Sequence, residues 1–346
     1  MKYTIFEWKE IENLFKYTNL LLGNGSSIAV SDKFSYVFLR DILNNTYLVQ
    51  EEKDLFHFFE TNDFEEILKL LWQANNVNKV LKVTDTKTQD AYNRVKNALI
   101  LAVRKIHPEY LDTFKQLQYI SNFLKNFKNI ISLNYDLILY WAILYGNEQN
   151  NIFGDCFING QFDIKSMMQR NKIKIFYPHG NLILAYNKLL NEIKLKSASN
   201  NLIASITEQW ESGEYVPLFI SEGSSRQKIN SIKKSYYLNA VYENILPNAM
   251  IINGNNHFNI QRYSRLCEVY CKTIVIYGFD FGIQDKHILD KIFSNHNRYM
   301  CIAIAISVFN NDEKYCERVT NILSEYSQYI KIYFFDSSSK GCWNNP

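Results

Sequence analysis

The sequence predicts an α/β fold: a mostly parallel sheet with helices on both faces and a helical insertion near its beginning. Three observations predict it. Short apolar runs recur along the chain, most of them apolar at successive rather than alternate positions, as strands covered on both faces require. Polar or helical stretches separate the runs from about residue 130 onward, the mark of crossover units. Four of the runs break off into compact polar motifs, and in an open α/β sheet the strand ends line one crevice.

The elements follow in order. A first strand ends at Leu22 and turns through Gly23-Asn24-Gly25-Ser26-Ser27, after which Ser35 to Leu43 places Val37, Phe38, Ile42 and Leu43 on one helical face. Between about 52 and 128 the pattern is helical throughout. Asn62 and Glu65 form a capping box ahead of Phe64, Ile67, Leu68 and Leu71. Tyr92, Val95, Leu99, Ala102 and Ile106 repeat the spacing until Pro108 stops it, and a third helix carries Phe114, Leu117, Leu124 and Phe127. We read 52–128 as an insertion or cap within a single domain spanning 1–346. The later strands are Ile130 to Leu133, Ile173 to Tyr177, Val216 to Ile220, Thr273 to Tyr277, Cys301 to Val308 and Ile330 to Phe335. Leu182 to Tyr186 is a further strand candidate, and Lys188 to Lys196 reads as a helix.

Composition narrows the function classes. With 346 residues and 47% hydrophobic content the chain can bury a large core, while 12 Gly and 5 Pro leave no low-complexity linker. A net charge of +3 with interspersed signs gives no support for a nucleic-acid partner. The N-terminal residues lack the apolar core of a secretion signal, and no run approaches the ~20 apolar residues that span a bilayer, so a cytoplasmic protein without a membrane partner is expected. The six cysteines show no C-x-x-C pair. Buried thiols are expected there, and no metal site.

Each polar motif has a chemical reading and a plainer one. The glycine turn resembles a phosphate seat, because its glycines permit a sharp turn and the following serines and N–H groups can face an anion. It is equally an ordinary strand-to-helix turn, and it completes neither a Walker loop nor G-x-G-x-x-G. In Asn134-Tyr135-Asp136 the Asn134 amide can reach the crevice to meet a ribose hydroxyl or a water, or either residue can cap the helix starting near Leu137; Asp136 is the more structural of the two. His179, between Pro178 and Gly180 at a strand tip, suits a presented general base, although a lone histidine is more often a satisfied structural group. Ser224, Ser225 and Arg226 can hold an anion or cap a helix, with the cap favoured. Gly278 and Asp280 lie beyond another strand, where Asp280 can meet a ribose, while Asp285 and His287 are expected to cap and pack the next helix.

Read together, Leu-Leu-Gly-Asn-Gly-Ser-Ser-Ile-Ala, Phe34-Ser35-Tyr36, Asn62-Asp63-Phe64-Glu65, Leu-Asn-Tyr-Asp, Pro-His-Gly, Ser-Glu-Gly-Ser-Ser and Tyr-Gly-Phe-Asp-Phe-Gly resemble a bacterial sirtuin-like family, itself a domain of unknown function, over roughly residues 18 to 290. That family is similar to the NAD-hydrolysing sirtuin-like domains of antiphage defence. The resemblance implies a Rossmann-like core that binds NAD or an ADP-ribose-type nucleotide and hydrolyses NAD to nicotinamide and ADP-ribose. It implies Asn134 and His179 as the catalytic pair, Gly23, Asn24, Gly25, Ser26 and Ser27 as the phosphate seat, and Asp136, Gly278 and Asp280 as cofactor contacts. Leu133 stands where the relatives have threonine, Phe279-Asp280 replaces a small-serine pattern, and the four zinc cysteines of deacetylating sirtuins are missing, which argues against protein deacetylation. The alternative is a sensing or scaffold module that binds the nucleotide without turnover and acts through a partner protein or as a homo-oligomer.

Overall fold

The computed structural model describes residues 2–35, 48–60, 64–84, 86–168, 172–187, 191–195, 202–211, 215–220, 224–252, 271–295 and 302–346. Its strands are β1 (Ile5–Phe6), β2 (Asn19–Leu22), β3 (Asn129–Ser132), β4 (Phe153–Gly154), β5 (Phe157–Ile158), β6 (Gln161–Phe162), β7 (Ile173–Phe176), β8 (Gly180–Tyr186), β9 (Glu192–Lys194), β10 (Val216–Phe219), β11 (Ile251–Ile252), β12 (Lys272–Tyr277), β13 (Ile302–Val308) and β14 (Ile330–Asp336). The helices are α1 (Trp8–Phe15), α2 (Gly25–Ile28), α3 (Gln50–Phe58), α4 (Phe64–Val80), α5 (Lys87–Ile106), α6 (Tyr110–Leu124), α7 (Ile138–Asn150), α8 (Leu202–Glu211), α9 (Ser225–Lys234), α10 (Tyr236–Asn244), α11 (Lys286–Phe293) and α12 (Glu313–Ser324).

The main sheet runs β1-β14-β13-β12-β2-β3-β7-β4, every neighbouring pair parallel, with β11 antiparallel on β12. Counted by chain order, β7, β3, β2, β12, β13 and β14 stand as 3-2-1-4-5-6, the doubly wound order of a Rossmann-type sheet. Its direction reverses between β2 and β12. The apolar runs became strands because the core needs them on both faces: all of β13 and all of β2 are buried. A cluster of rings seals one region of this core, Trp8 lying 5.3 Å from Phe123 and 5.0 Å from Phe335 between ring centroids.

Between β2 and β3 the chain forms α2 to α6. Helices α4 and α5 pack on each other, and α6 packs on α7. Arg94 of α5 donates from Nε and Nη2 to one oxygen of the buried Glu52 of α3, at 2.9 and 2.6 Å, which ties those two helices together. Phe114, expected inward, is exposed. Residues 36–43 of the helix read from Ser35 to Leu43, and Asn62 of the capping box, lie outside the described residues.

Two expectations fail beyond β7. The run Val216 to Ile220 does not join the parallel sheet; as β10 it pairs antiparallel with β8 in a second, five-stranded sheet of order β10-β8-β9-β6-β5. Nor is Lys188 to Lys196 helical where it is described, because β9 occupies its centre. Asn187 and Asn191 pair at the end of the antiparallel β8–β9 ladder, the Asn187 N–H donating to the Asn191 carbonyl at 3.1 Å and the Asn191 N–H to Asn187 Oδ1 at 3.0 Å. Glu192 then caps α10, accepting the N–H groups of Tyr236 and Tyr237 at 2.8 and 2.6 Å. Cys156, Cys271, Cys316 and Cys342 are buried free thiols, and no helix among the described residues is long and apolar enough to cross a membrane.

Candidate functional site at the strand tips

The order β12-β2-β3-β7 places four motifs at the carboxyl ends of adjacent strands: Gly278 after β12, the glycine turn after β2, Asn134 after β3 and His179 after β7. At the point of reversal the backbones meet. A Cβ on Gly25 would come within 2.7 Å of Gly278 Cα, one on Gly23 within 2.6 Å of the Gly278 carbonyl oxygen, and one on Gly278 within 2.6 Å of the Gly25 carbonyl carbon. Gly278 also has a φ of +65°, so two separate reasons demand glycine there.

The amides of Gly23, Gly25, Ser26 and Ser27 are engaged within the protein. Gly23 donates to the Tyr277 carbonyl at 2.9 Å, Gly25 to Gly278 at 2.8 Å, Ser26 to Gly23 at 3.0 Å and Ser27 to Asn24 at 3.0 Å. The N–H groups expected to face an anion therefore already have acceptors. Asn24 is likewise turned inward on the local chain, its side-chain amide donating to the Phe34 carbonyl at 3.2 Å.

What the turn does instead is orient Asn134. Ser26 Oγ gives its proton to the Gly23 carbonyl at 2.8 Å and Ser27 Oγ gives its proton to Asp136 Oδ2, so both hydroxyls offer only lone pairs to a third partner. Asn134 meets them with its NH2 group, 2.8 Å from each. Its Oδ1 is left as an acceptor that no described residue uses, on a side chain 9% exposed. Asp136 fixes this arrangement and starts α7, its Oδ1 accepting the Ile138 N–H at 2.8 Å. Asn181 closes the set from β8, its amide donating to the carbonyls of Asn134 and Asp136 at 3.3 and 2.7 Å.

His179 is not presented to solvent; it is 1% exposed. Its ring lies nearly parallel to that of His287, with the two Nε2 atoms 3.0 Å apart. The tautomers follow from the partners. Ser225 Oγ donates to the carbonyls of Ile283 and Gln284, and the His287 Nδ1 beside it interacts with carbonyl and hydroxyl acceptors, so that nitrogen carries the proton and Nε2 holds a lone pair. His179 must then donate from Nε2, which leaves its own lone pair on Nδ1. Burial, reinforced by the nearby Lys228 ammonium, pushes the His179 imidazole well below its ordinary range and brings His287 down to about 4. Both rings are neutral at pH 7.

Lys228 is fully buried and sits 2.9 Å from Asp285. Burial alone would raise the Asp285 carboxyl, but the ammonium overrides it and holds the group down to about 2. His179, Asp285 and His287 offer ligand atoms within 4.8 Å of one another. The same pocket already contains a buried cation. A divalent ion would add its charge beside that ammonium, so the set suits neutral imidazoles around a Lys–Asp pair better than metal ligation.

Other expected residues do not join this group. Asp280 is 81% exposed at its side chain and pairs with Arg318 at 2.7 Å. Ser224 caps α9 in a box with Gln227, and Arg226 is exposed. Two cavities, of about 560 and 310 Å3, lie elsewhere, and of the strand-tip residues only Tyr177, two positions before His179, lines either.

Several contributors had no signature in the sequence. His107 accepts the Leu137 N–H on Nε2 at 2.8 Å and bonds the Pro108 carbonyl through Nδ1 at 3.0 Å, joining the helices of the 52–128 stretch to the Asn134 loop. Trp343 donates from Nε1 to the Ser26 carbonyl at 2.8 Å. The Lys228–Asp285 pair links α9 to the start of α11, and no spacing within either helix announces it.

A family model described as a domain of unknown function, DUF4917, matches residues 20–262 and 252–343. A solved structure bearing on the mechanism and regulation of Sir2 enzymes is similar across 94% of this chain and 91% of that one, at 9% identity and a TM-score of 0.33. No curated protein matches.

Proposed function

The chain belongs to the DUF4917 family, and from the arrangement at its strand tips we propose that it binds an NAD-type nucleotide there and cleaves the bond between nicotinamide and ribose. One observation carries the proposal: the 3-2-1-4-5-6 strand order puts Asn134 and His179 at neighbouring tips, on the first and second strands beyond β2 to one side of the reversal point near which doubly wound sheets take their ligands. The chemistry asks little of the protein. As the bond breaks its electron pair passes to the pyridinium nitrogen, nicotinamide leaves neutral, and water attacks the oxocarbenium-like ribose carbon and loses a proton. Asn134 Oδ1, held in orientation by Ser26 and Ser27, would accept a hydrogen bond from that water or from a ribose hydroxyl. His179 Nδ1, neutral at pH 7, would take the proton. Resemblance to defence domains extends the proposal to antiphage defence, where the expected cellular readout is loss of NAD on infection.

Purified protein incubated with NAD should release nicotinamide, and Asn134→Ala and His179→Ala should each slow release by at least ~100-fold, the lower end of the usual effect of positioning and base groups. Unchanged release in both variants would remove them from the mechanism. A second reading, nucleotide binding without turnover, is favoured by the depth of His179. Calorimetry with NAD beside the product assay separates the two: heat without nicotinamide selects the sensor.

A further inference from the structure

Between the edge of the parallel sheet and the small antiparallel sheet lies the cavity of about 310 Å3, walled by α7, β7, β9 and the stretch from β4 to β5. Its charged lining is three lysines against one aspartate. Asp155 is committed to Lys194 at 2.5 Å, and Lys172 donates to Asn151 at 2.7 Å. Lys174 is different: it is 4% exposed, sits on β7 between two parallel neighbours, and its ammonium has no hydrogen-bond or ion-pair partner among the described residues. Tyr177, which also lines the cavity, has a buried hydroxyl without a hydrogen-bond partner.

Lys174 brings to the cavity an ammonium with no acceptor among the described residues, in a lining whose carboxylate, Asp155, is already paired, and that excess of positive charge calls for an anionic oxygen from outside the chain. Gly154 makes the space. A Cβ there would stand 3.1 Å from Lys172 Cδ, close enough to displace that side chain, and in ordinary contact, 3.7 Å, with Lys174 Nζ. We propose that this cavity binds a small anion bearing a phosphate or carboxylate group, with Lys174 as its charge partner and Lys172 beside it. The volume is at the small end of ligand pockets, ~300–1,000 Å3, and the aromatic walls from Tyr140, Phe153 and Phe157 suit a compact organic body behind the charged head. This site stands apart from the nucleotide reading of the strand tips, so either can fail alone.

The test is calorimetric titration of the full chain with inorganic phosphate and, separately, with citrate, at constant ionic strength. Saturable binding of at least one is expected, and which one binds identifies the head group. Affinity should fall at least ~10-fold in Lys174→Met and about threefold in Lys172→Met, in keeping with loss of a buried and a rim charge contact, and should hold in Lys314→Met on the exposed side of α12. Absence of saturable binding by the unmodified protein, or wild-type affinity in Lys174→Met, overturns the proposal. If Lys174→Met does not fold, unchanged affinity in Lys172→Met overturns it instead.

Discussion

Acidification should unfold this protein through its buried histidines, and His287 allows the size of the effect to be worked out. Its imidazole falls from an ordinary 6.5 to about 4 in the folded chain, chiefly because burial disfavours the charged ring. Between those values the unfolded chain binds a proton that the native protein excludes, so stability declines as pH drops from 6.5 toward 4 and is regained above 6.5. At ~1.4 kcal/mol per unit the shift corresponds to about 3 kcal/mol across the window. His179 and His107 are displaced the same way by burial and steepen the decline. Urea unfolding of wild type and His287→Gln at half-unit steps from pH 4.5 to 7.5 measures the slope. The variant should lose about one proton's worth of dependence, ~1.4 kcal/mol per pH unit. Parallel curves for the two proteins would refute the reasoning.

Gly278→Ala should cost more than ~2 kcal/mol in urea unfolding, because a left-handed backbone strains the new residue and its methyl meets the Gly25 backbone at 2.6 Å. Lys228→Met strands the Asp285 carboxylate; with a quarter of that side chain still reached by solvent, a loss of ~2–3 kcal/mol is expected, largely recovered in the double variant with Asp285→Asn, and additive losses would argue against the pairing. Trp343→Phe keeps an aromatic ring but leaves the Ser26 carbonyl without its indole donor, and should lower stability by ~1–2 kcal/mol or more, read as a reduced thermal midpoint.

The parallel sheet was legible because its strands are wrapped on both sides, and runs such as Ile-Ala-Ile-Ala-Ile-Ser-Val admit few other environments. The tip motifs were legible for the same reason: chain that stops being apolar abruptly has reached the end of a strand. The second sheet was not. Gly180 to Tyr186 is almost wholly buried and gives no alternation, and its partner β10 arrives after a helix, so nothing local distinguishes it from a parallel strand. Glu192 to Lys194 looked helical because its charges suit either state, and antiparallel pairing with β8 makes it a strand. At the site, Asn134 and Asp136 were visible as types but their serine partners acquired a role only once the turn folded under them. His287 and Asp285 were read as helix-end residues; their proximity to Lys228 and His179 is tertiary and leaves no trace in spacing.

The hydrogen bond from Trp343 to Ser26 joins positions 317 apart in the chain. During synthesis the segment that cradles Asn134 emerges early, yet the indole that buttresses it leaves the ribosome only when nearly everything before it has been made. The loop around Ser26 thus goes without its buttress while all the chain between it and Trp343 is made, and a substitution that disturbs the stretch from Ser337 to Asn345 acts on a loop translated long before it.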